Sequence, residues 1–254
     1  MKIGLALSGG GARGFAHVGV LKALRDIKFD VITGTSAGSI VGGALASGMT
    51  IDELEKMARE TGYSRVARPS LSPRGLLSNV PLGNFLQRRF PVSRFEDAKV
   101  PFATVSYNLT RGKEAVRTSG DMINAIRASC AVPGAFAPVR DENGDLHVDG
   151  GVTSILPVRL ARQLGADIVI AVDVLSCGNS FKGVPILAIG IMIRSAMRLI
   201  ETSLAADRVD ADIVIEPQIS HLRPDQIRKC DEFIRLGEES GKRYRDDVLK
   251  LIRG

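Results

Sequence analysis

Six short runs of apolar and β-branched residues recur along the chain, at positions 3–7, 31–33, 102–106, 146–148, 168–172 and 213–215. Each has the length and composition of a sheet strand. Between several of them the apolar residues fall at helical spacing instead: Val20, Leu21, Leu24 and Ile27 on one face, then 40–45, then 155–164, then a long charged amphipathic stretch over 225–252. This alternation predicts an α/β fold with a layered, mainly parallel sheet flanked by helices, since parallel neighbours need a crossover and a helix supplies it. Ligands of such sheets bind beyond the carboxyl ends of the strands. With 254 residues, 44% of them hydrophobic, the chain can bury a substantial core. It reads as a single domain over residues 1–254, with neither an internal repeat nor a low-complexity tail.

Several function classes drop out on composition. The most apolar window, 185–197, is broken by Arg194, so no spanning helix is expected. A single Lys2 precedes a short apolar run that meets glycines too early for a signal-peptide core, which points to a cytoplasmic protein. Cys130, Cys177 and Cys230 lack the spacing of a metal site and read as buried small hydrophobes in a reducing compartment, without disulfides or metal. A net charge of +6, with 5% aromatics and no Trp, does not suit nucleic acid. The basic excess is nonetheless local: residues 61–95 hold Arg65, Arg68, Arg74, Arg88, Arg89 and Arg94 and no acid. That stretch, rich in Ser, Pro and Gly, reads as a mobile basic lid. Its arginines are either ordinary solvated surface or a cationic rim facing anionic lipid head groups at a membrane.

Two glycine motifs carry the chemistry. Gly9, Gly11 and Gly14 follow the first apolar run at G-x-G-x-x-G spacing, which suits a dinucleotide or, through backbone N–H groups, an oxyanion. Gly34-Thr35-Ser36-Ala37-Gly38 is a G-x-S-x-G between an apolar run and a small-residue helical run. In that context a serine sits on a tight strand-to-helix turn, its hydroxyl clear of the backbone and near a helix N-terminus. A serine helix cap between turn glycines is the plainer account of the same five residues. The second motif bears on the first. A dinucleotide site needs an acid at the end of the second strand, and here that strand runs into Ser36 while Asp30 precedes it, so the oxyanion reading is preferred.

A serine nucleophile needs a base. His17 reads as a packed histidine, His147 alternates within a strand, and His221, after the sixth run, stays open as a base. Asp149 is the better candidate, ending the run 146–148 ahead of Gly150-Gly151, although Asp-Gly is also a common turn. Asp173, at the end of the run 168–172, is its rival. A carboxylate is a weak base toward a hydroxyl, so a Ser-Asp pair works only with an oxyanion hole at hand.

Taken together, Gly9 to Gly14, Gly34 to Gly38, the block ASCAVPGAFAP at 128–138 and Asp149-Gly150-Gly151 resemble the patatin-like phospholipases of the compact bacterial type. The resemblance spans about the first 150 residues, and the stretch 211–217 adds to it. It implies a Ser36–Asp149 dyad without histidine and an oxyanion hole from the backbone of Gly9, Gly10 and Gly11. Arg13 would support that hole or an anionic substrate group, and Gly14, Gly34, Gly38, Gly150 and Gly151 would shape the turns. Ser129 is then structural. The implied activity is hydrolysis of lipid or acyl esters, as a phospholipase A, lysophospholipase or nonspecific lipid esterase, with no cofactor. The alternative is a weakly active or inactive regulatory protein of the same fold. Head group, acyl length and oligomeric state are not legible.

Overall fold

The computed structural model describes residues 1–175 and 207–253, with positions 190, 191, 194, 195, 198 and 204 between them. Cys177 and most of the window 185–197 lie outside the described residues. In chain order the first elements are β1 (Ile3–Leu7), α1 (Phe15–Ala23), β2 (Val31–Thr35), α2 (Ala37–Ala46), α3 (Ile51–Glu60), α4 (Tyr63–Val66), β3 (Arg68–Pro69), β4 (Leu77–Ser78) and α5 (Val80–Arg89). There follow β5 (Phe102–Asn108), β6 (Lys113–Arg117), α6 (Met122–Ser129), β7 (Val139–Arg140), β8 (Leu146–Asp149), α7 (Val158–Gln163), β9 (Ile168–Val172), β10 (Ile213–Ile215) and α8 (Cys230–Arg253).

All six expected strands form, and the sheet is mixed but mainly parallel. Strands β10, β9, β1, β2 and β5 lie side by side in that order, all parallel. The antiparallel strands gather at β5. Strand β6 pairs Thr104 to Asn108, overlapping the residues that β2 pairs, so β2 and β6 take opposite edges of β5. Strand β8 pairs Ser106 to Asn108, which β6 also pairs, so β8 must share the β2 edge. Two strands therefore run toward each other along one edge: β2 ends at Thr35 opposite Val105, and β8 ends at Asp149 opposite Ser106.

Alternation along the strands divides the core between two faces. Leu5, Leu7, Ile32, Phe102, Ile170 and Val172 join one cluster with α1, α2, α3, α5, α6 and α8. Ala6, Val169 and Ala171 face the other way, onto α7. Helix α1 is apolar nearly all round because it lies between the sheet and α8, whose amphipathic sequence buries Phe233, Ile234 and Val248 and exposes its charges. No helix among the described residues is long and apolar enough to cross a membrane.

Candidate active site

Ser36 follows β2 directly and caps α2 with φ 52 and ψ −122. It is the one non-glycine residue with positive φ among the described residues, a conformation costing about 1–3 kcal/mol for a side-chain-bearing residue. Close approach permits the turn: a Cβ on Gly38 would lie 2.2 Å from the Leu7 carbonyl oxygen at the end of β1. The Ser36 N–H donates to Ser129 Oγ at 2.8 Å, and its carbonyl accepts from Ser39 Oγ at 2.6 Å. Ser129 is thus a buried support for the turn, and the side chain of Ser36 makes no cap to α2.

Asp149 comes to Ser36 through the head-to-head strands. Its backbone N–H donates to the Ala131 carbonyl at 2.9 Å, so the 128–138 block holds the end of β8 as it holds Ser36. Its Oδ1 accepts the Gly151 N–H at 2.8 Å, and its carboxyl lies beside the Ser36 hydroxyl. Burial raises the carboxyl from the ordinary 3.8 to about 6, against the lowering effect of the Gly151 N–H and the Ser36 hydroxyl. Beside the pair sits Cys130, whose thiol is pushed well up by burial and by the Asp149 charge and contacts the Ser36 side chain.

The glycine loop lies across from this pair, with its members engaged differently. The Gly9 N–H donates to the Ile155 carbonyl at 3.0 Å. Gly10 and Gly11 line the cavity beside Ser36, and among the described residues their N–H groups make no hydrogen bond. Gly11 adopts φ 57, which a side chain would strain. The Arg13 guanidinium is fully buried and donates from Nε to the Leu222 carbonyl at 3.0 Å and from Nη1 toward that of Val174 at 3.5 Å. It braces the loop against the carboxyl-terminal part of the chain. Gly14 packs against Ala37, Gly34 against Gly38, and Gly150 against the Val105 carbonyl.

The other titratable candidates stand elsewhere. His17 is fully buried, its Nε2 2.8 Å from the Ser8 carbonyl, and burial lowers it to about 4, so it is a neutral donor. His147 bridges Ser106 Oγ at 3.0 Å and Asp141 Oδ2 at 3.2 Å away from the cavity. His221 is exposed, 3.3 Å from Glu232. Asp173 directly follows β9, two strands from β2 and hence about 10 Å away in the sheet, and faces Arg208 at 3.8 Å.

Ser36, Asp149, Gly10 and Gly11 meet at one polar patch of a cavity of about 650 Å³. Most of the rest of its wall is apolar and was not legible as a site: Phe15 from α1, Ile40 from α2, Leu54 and Met57 from α3, and Leu82 and Phe85 from α5, with Asn79, Arg223 and Asp225 also reaching it. Only the spacing of Leu54, Met57 and Ala58, or of Leu82, Phe85 and Leu86, marks those helices as turning one face inward. The 61–95 segment borders this cavity. Its arginines differ: Arg65 and Arg89 lie over the Phe85 ring at 5.5 and 5.7 Å, with Arg89 also paired to Glu60, and Arg94 stands 3.4 Å from Glu96. Arg68, Arg74 and Arg88 are exposed with no ion pair among the described residues.

A family model described as patatin-like phospholipase matches residues 5–162. An uncharacterized NTE family protein of Mycobacterium tuberculosis is 33% identical over an alignment of 219 residues that covers 82% of this chain and 60% of that protein. The lysophospholipase NTE1 of Yarrowia lipolytica is 36% identical over an alignment of 180 residues that covers 68% of this chain and 12% of that protein. This chain therefore matches less than two thirds of either relative's length. Among solved structures, VipD from Legionella pneumophila shares the fold with a TM-score of 0.54 at 14% identity, over 97% of this chain and 67% of that one.

Proposed function

The chain belongs to the patatin-like phospholipase family, and from that premise we propose that it is a serine acyl hydrolase cleaving carboxylic esters of lipids with Ser36 and Asp149. One observation carries the reading: a hydroxyl on a positive-φ turn at a helix N-terminus lies beside a buried carboxyl, and both line a mainly apolar cavity. A lipid ester fits such a cavity with its acyl chain along the wall and its carbonyl at the patch.

In the first half-reaction Asp149 takes the Ser36 hydroxyl proton while Oγ attacks the ester carbon. The carbonyl electron pair moves onto oxygen, where the N–H groups of Gly10 and Gly11 and the positive end of α2 hold it. Collapse expels the alcohol, which takes the proton from Asp149 and leaves the acyl group on Ser36. Water then attacks that carbon as Asp149 takes its proton, and collapse frees the fatty acid and returns the proton to Ser36. A base near 6 is ionised at neutral pH yet stronger than an ordinary carboxylate, as the step requires. The fungal relative's name supports a lysophospholipid among the substrates, and Arg68, Arg74 and Arg88, which make no ion pair among the described residues, support contact with an anionic membrane.

Labelling with a fluorophosphonate probe tests the reading. Folded protein should take the label on Ser36 alone, and Ser36→Ala should lose both the label and several orders of magnitude of esterase turnover. A variant that keeps more than about a tenth of the turnover would exclude the dyad. An unlabelled, folded wild-type protein would favour the inactive regulatory alternative.

A further inference from the structure

Between α4 and α5 the chain makes a small hairpin, with Arg68 opposite Ser78 and Pro69 opposite Leu77. The Ser70 N–H donates to the Leu76 carbonyl at 2.9 Å, leaving residues 71–75 as the tip. Leu71 on that tip is wholly exposed and Leu76 beside it is 58% exposed. Arg68, Pro73 and Arg74 are exposed around them, and the nearest acid in sequence on the amino-terminal side is Glu60. The hairpin itself is anchored. The Leu77 N–H donates to the Ala135 carbonyl at 2.9 Å, and the Leu77 carbonyl accepts the Ala137 N–H at 2.8 Å. Gly75 packs so closely that a Cβ there would lie 2.2 Å from the Ala137 nitrogen. Val66, Ala67, Leu77, Ala135 and Phe136 all line the cavity that holds Ser36, so the tip projects from that cavity's rim.

We propose that this hairpin tip docks the protein on an anionic lipid bilayer, with Leu71 and Leu76 entering below the head groups and Arg68 and Arg74 lying against their phosphates. The partner follows from the chemistry. Two bare leucines gain nothing from water, and arginines with no ion pair among the described residues match a surface that is anionic outside and apolar beneath. Arg65 and Arg89 do not compete for this role, because Phe85 and Glu60 already engage them. Continuity with the cavity gives the contact its use: a lipid leaving the bilayer at the tip meets the cavity rim directly. That use, though not the docking, rests on the acyl-hydrolase reading.

The test is sedimentation with vesicles of phosphatidylcholine alone and of an equimolar mixture with phosphatidylserine, alongside hydrolysis of a water-soluble short-chain ester. Wild-type protein should bind the mixed vesicles more tightly, with affinity falling as salt rises. Paired Leu71→Asp and Leu76→Asp should weaken binding to mixed vesicles by about tenfold or more. Paired Arg68→Gln and Arg74→Gln should remove about fivefold per arginine of the preference for mixed vesicles. Neither pair lines the cavity, so soluble-ester turnover should stay at the wild-type level. Wild-type-like vesicle binding by the leucine pair overturns the proposal, as does a wild type that binds neither vesicle. So does a concentration-dependent dimer that the leucine pair abolishes while vesicle binding persists. Failure of wild-type protein to hydrolyse the soluble ester would instead overturn the acyl-hydrolase reading and leave the vesicle result to stand alone.

Discussion

Asp149 is held where its charge is poorly solvated, with the Gly151 N–H as its hydrogen-bond donor and the Ser36 hydroxyl beside it. Catalysis needs the charged form, so turnover should have an acid limb near pH 6 and fall about tenfold per unit below it. Asp149→Asn should be nearly as damaging as Ser36→Ala, the double variant little worse than either, and Asp173→Asn mild, because the first two groups act as a unit. Stability should move the other way. The native carboxyl titrates above its unfolded value, so the stability it contributes is present below pH 3.8 and is lost as pH rises through about 6. The shift from 3.8 to about 6 corresponds to at most roughly 3 kcal/mol. Asp149→Asn should therefore raise the Tm relative to wild type at pH 8 and lose that advantage at pH 4. An equal Tm difference at both pH values would mean that the carboxyl is not raised. Both residues of the pair were legible as candidates, because a strand-to-helix turn and an Asp-Gly-Gly strand end are local patterns. The state of Asp149 was not, since burial is set by residues remote in sequence.

Helices α1 and α8 pack closely enough for backbone to meet backbone at their glycines. A Cβ on Gly19 would lie 2.0 Å from the Ile234 carbonyl oxygen, and one on Gly237 would lie 2.1 Å from that of Ala16. Any side chain there must push the helices apart, and α1 carries the glycine loop at its amino end. Gly237→Val should cost about 1–3 kcal/mol or more of stability, read as a lower urea midpoint at unchanged slope. An unchanged midpoint would show that the two helices slide freely. Helix α8 was legible because its apolar stripe is long and set against many charges. Helix α3 left a readable signal in its capping box, where Thr50 Oγ1 accepts from the Glu53 N–H and Glu53 answers to the Thr50 N–H. Helix α5 hid its Leu82, Phe85 and Leu86 face inside a stretch that arginine, proline and glycine made look like a loop. Strand β6, Lys113–Arg117, is mostly charged and half-exposed, so the β-branched signal that found the other long strands is missing.

At the scale of the molecule, the cavity lies on the helix-rich side of the sheet, between α1, α2, α3 and α5, with its polar patch at the ends of β2 and β8. An acyl chain there should be measured by the wall. Met57→Trp, on the inward face of α3, should cut kcat/KM for long-chain esters by about tenfold or more while an acetyl ester is barely affected. Equal losses on both would place Met57 outside the acyl path. What the sequence alone determined are features each made by a few neighbouring residues: the strands, the serine turn, the glycine loop, the amphipathic α8 and the local run of arginines. Tertiary structure decided how they combine. Ser36 and Asp149 meet because β2 and β8 approach each other along one edge of β5, and such pairing is made by backbone groups that every residue carries. The Ile155 carbonyl decides that the Gly9 N–H is taken, and the Phe85 ring with Glu60 decides which arginines remain for a partner. Each of these outcomes turns on a contact between segments distant in the chain, which no local pattern of side chains encodes.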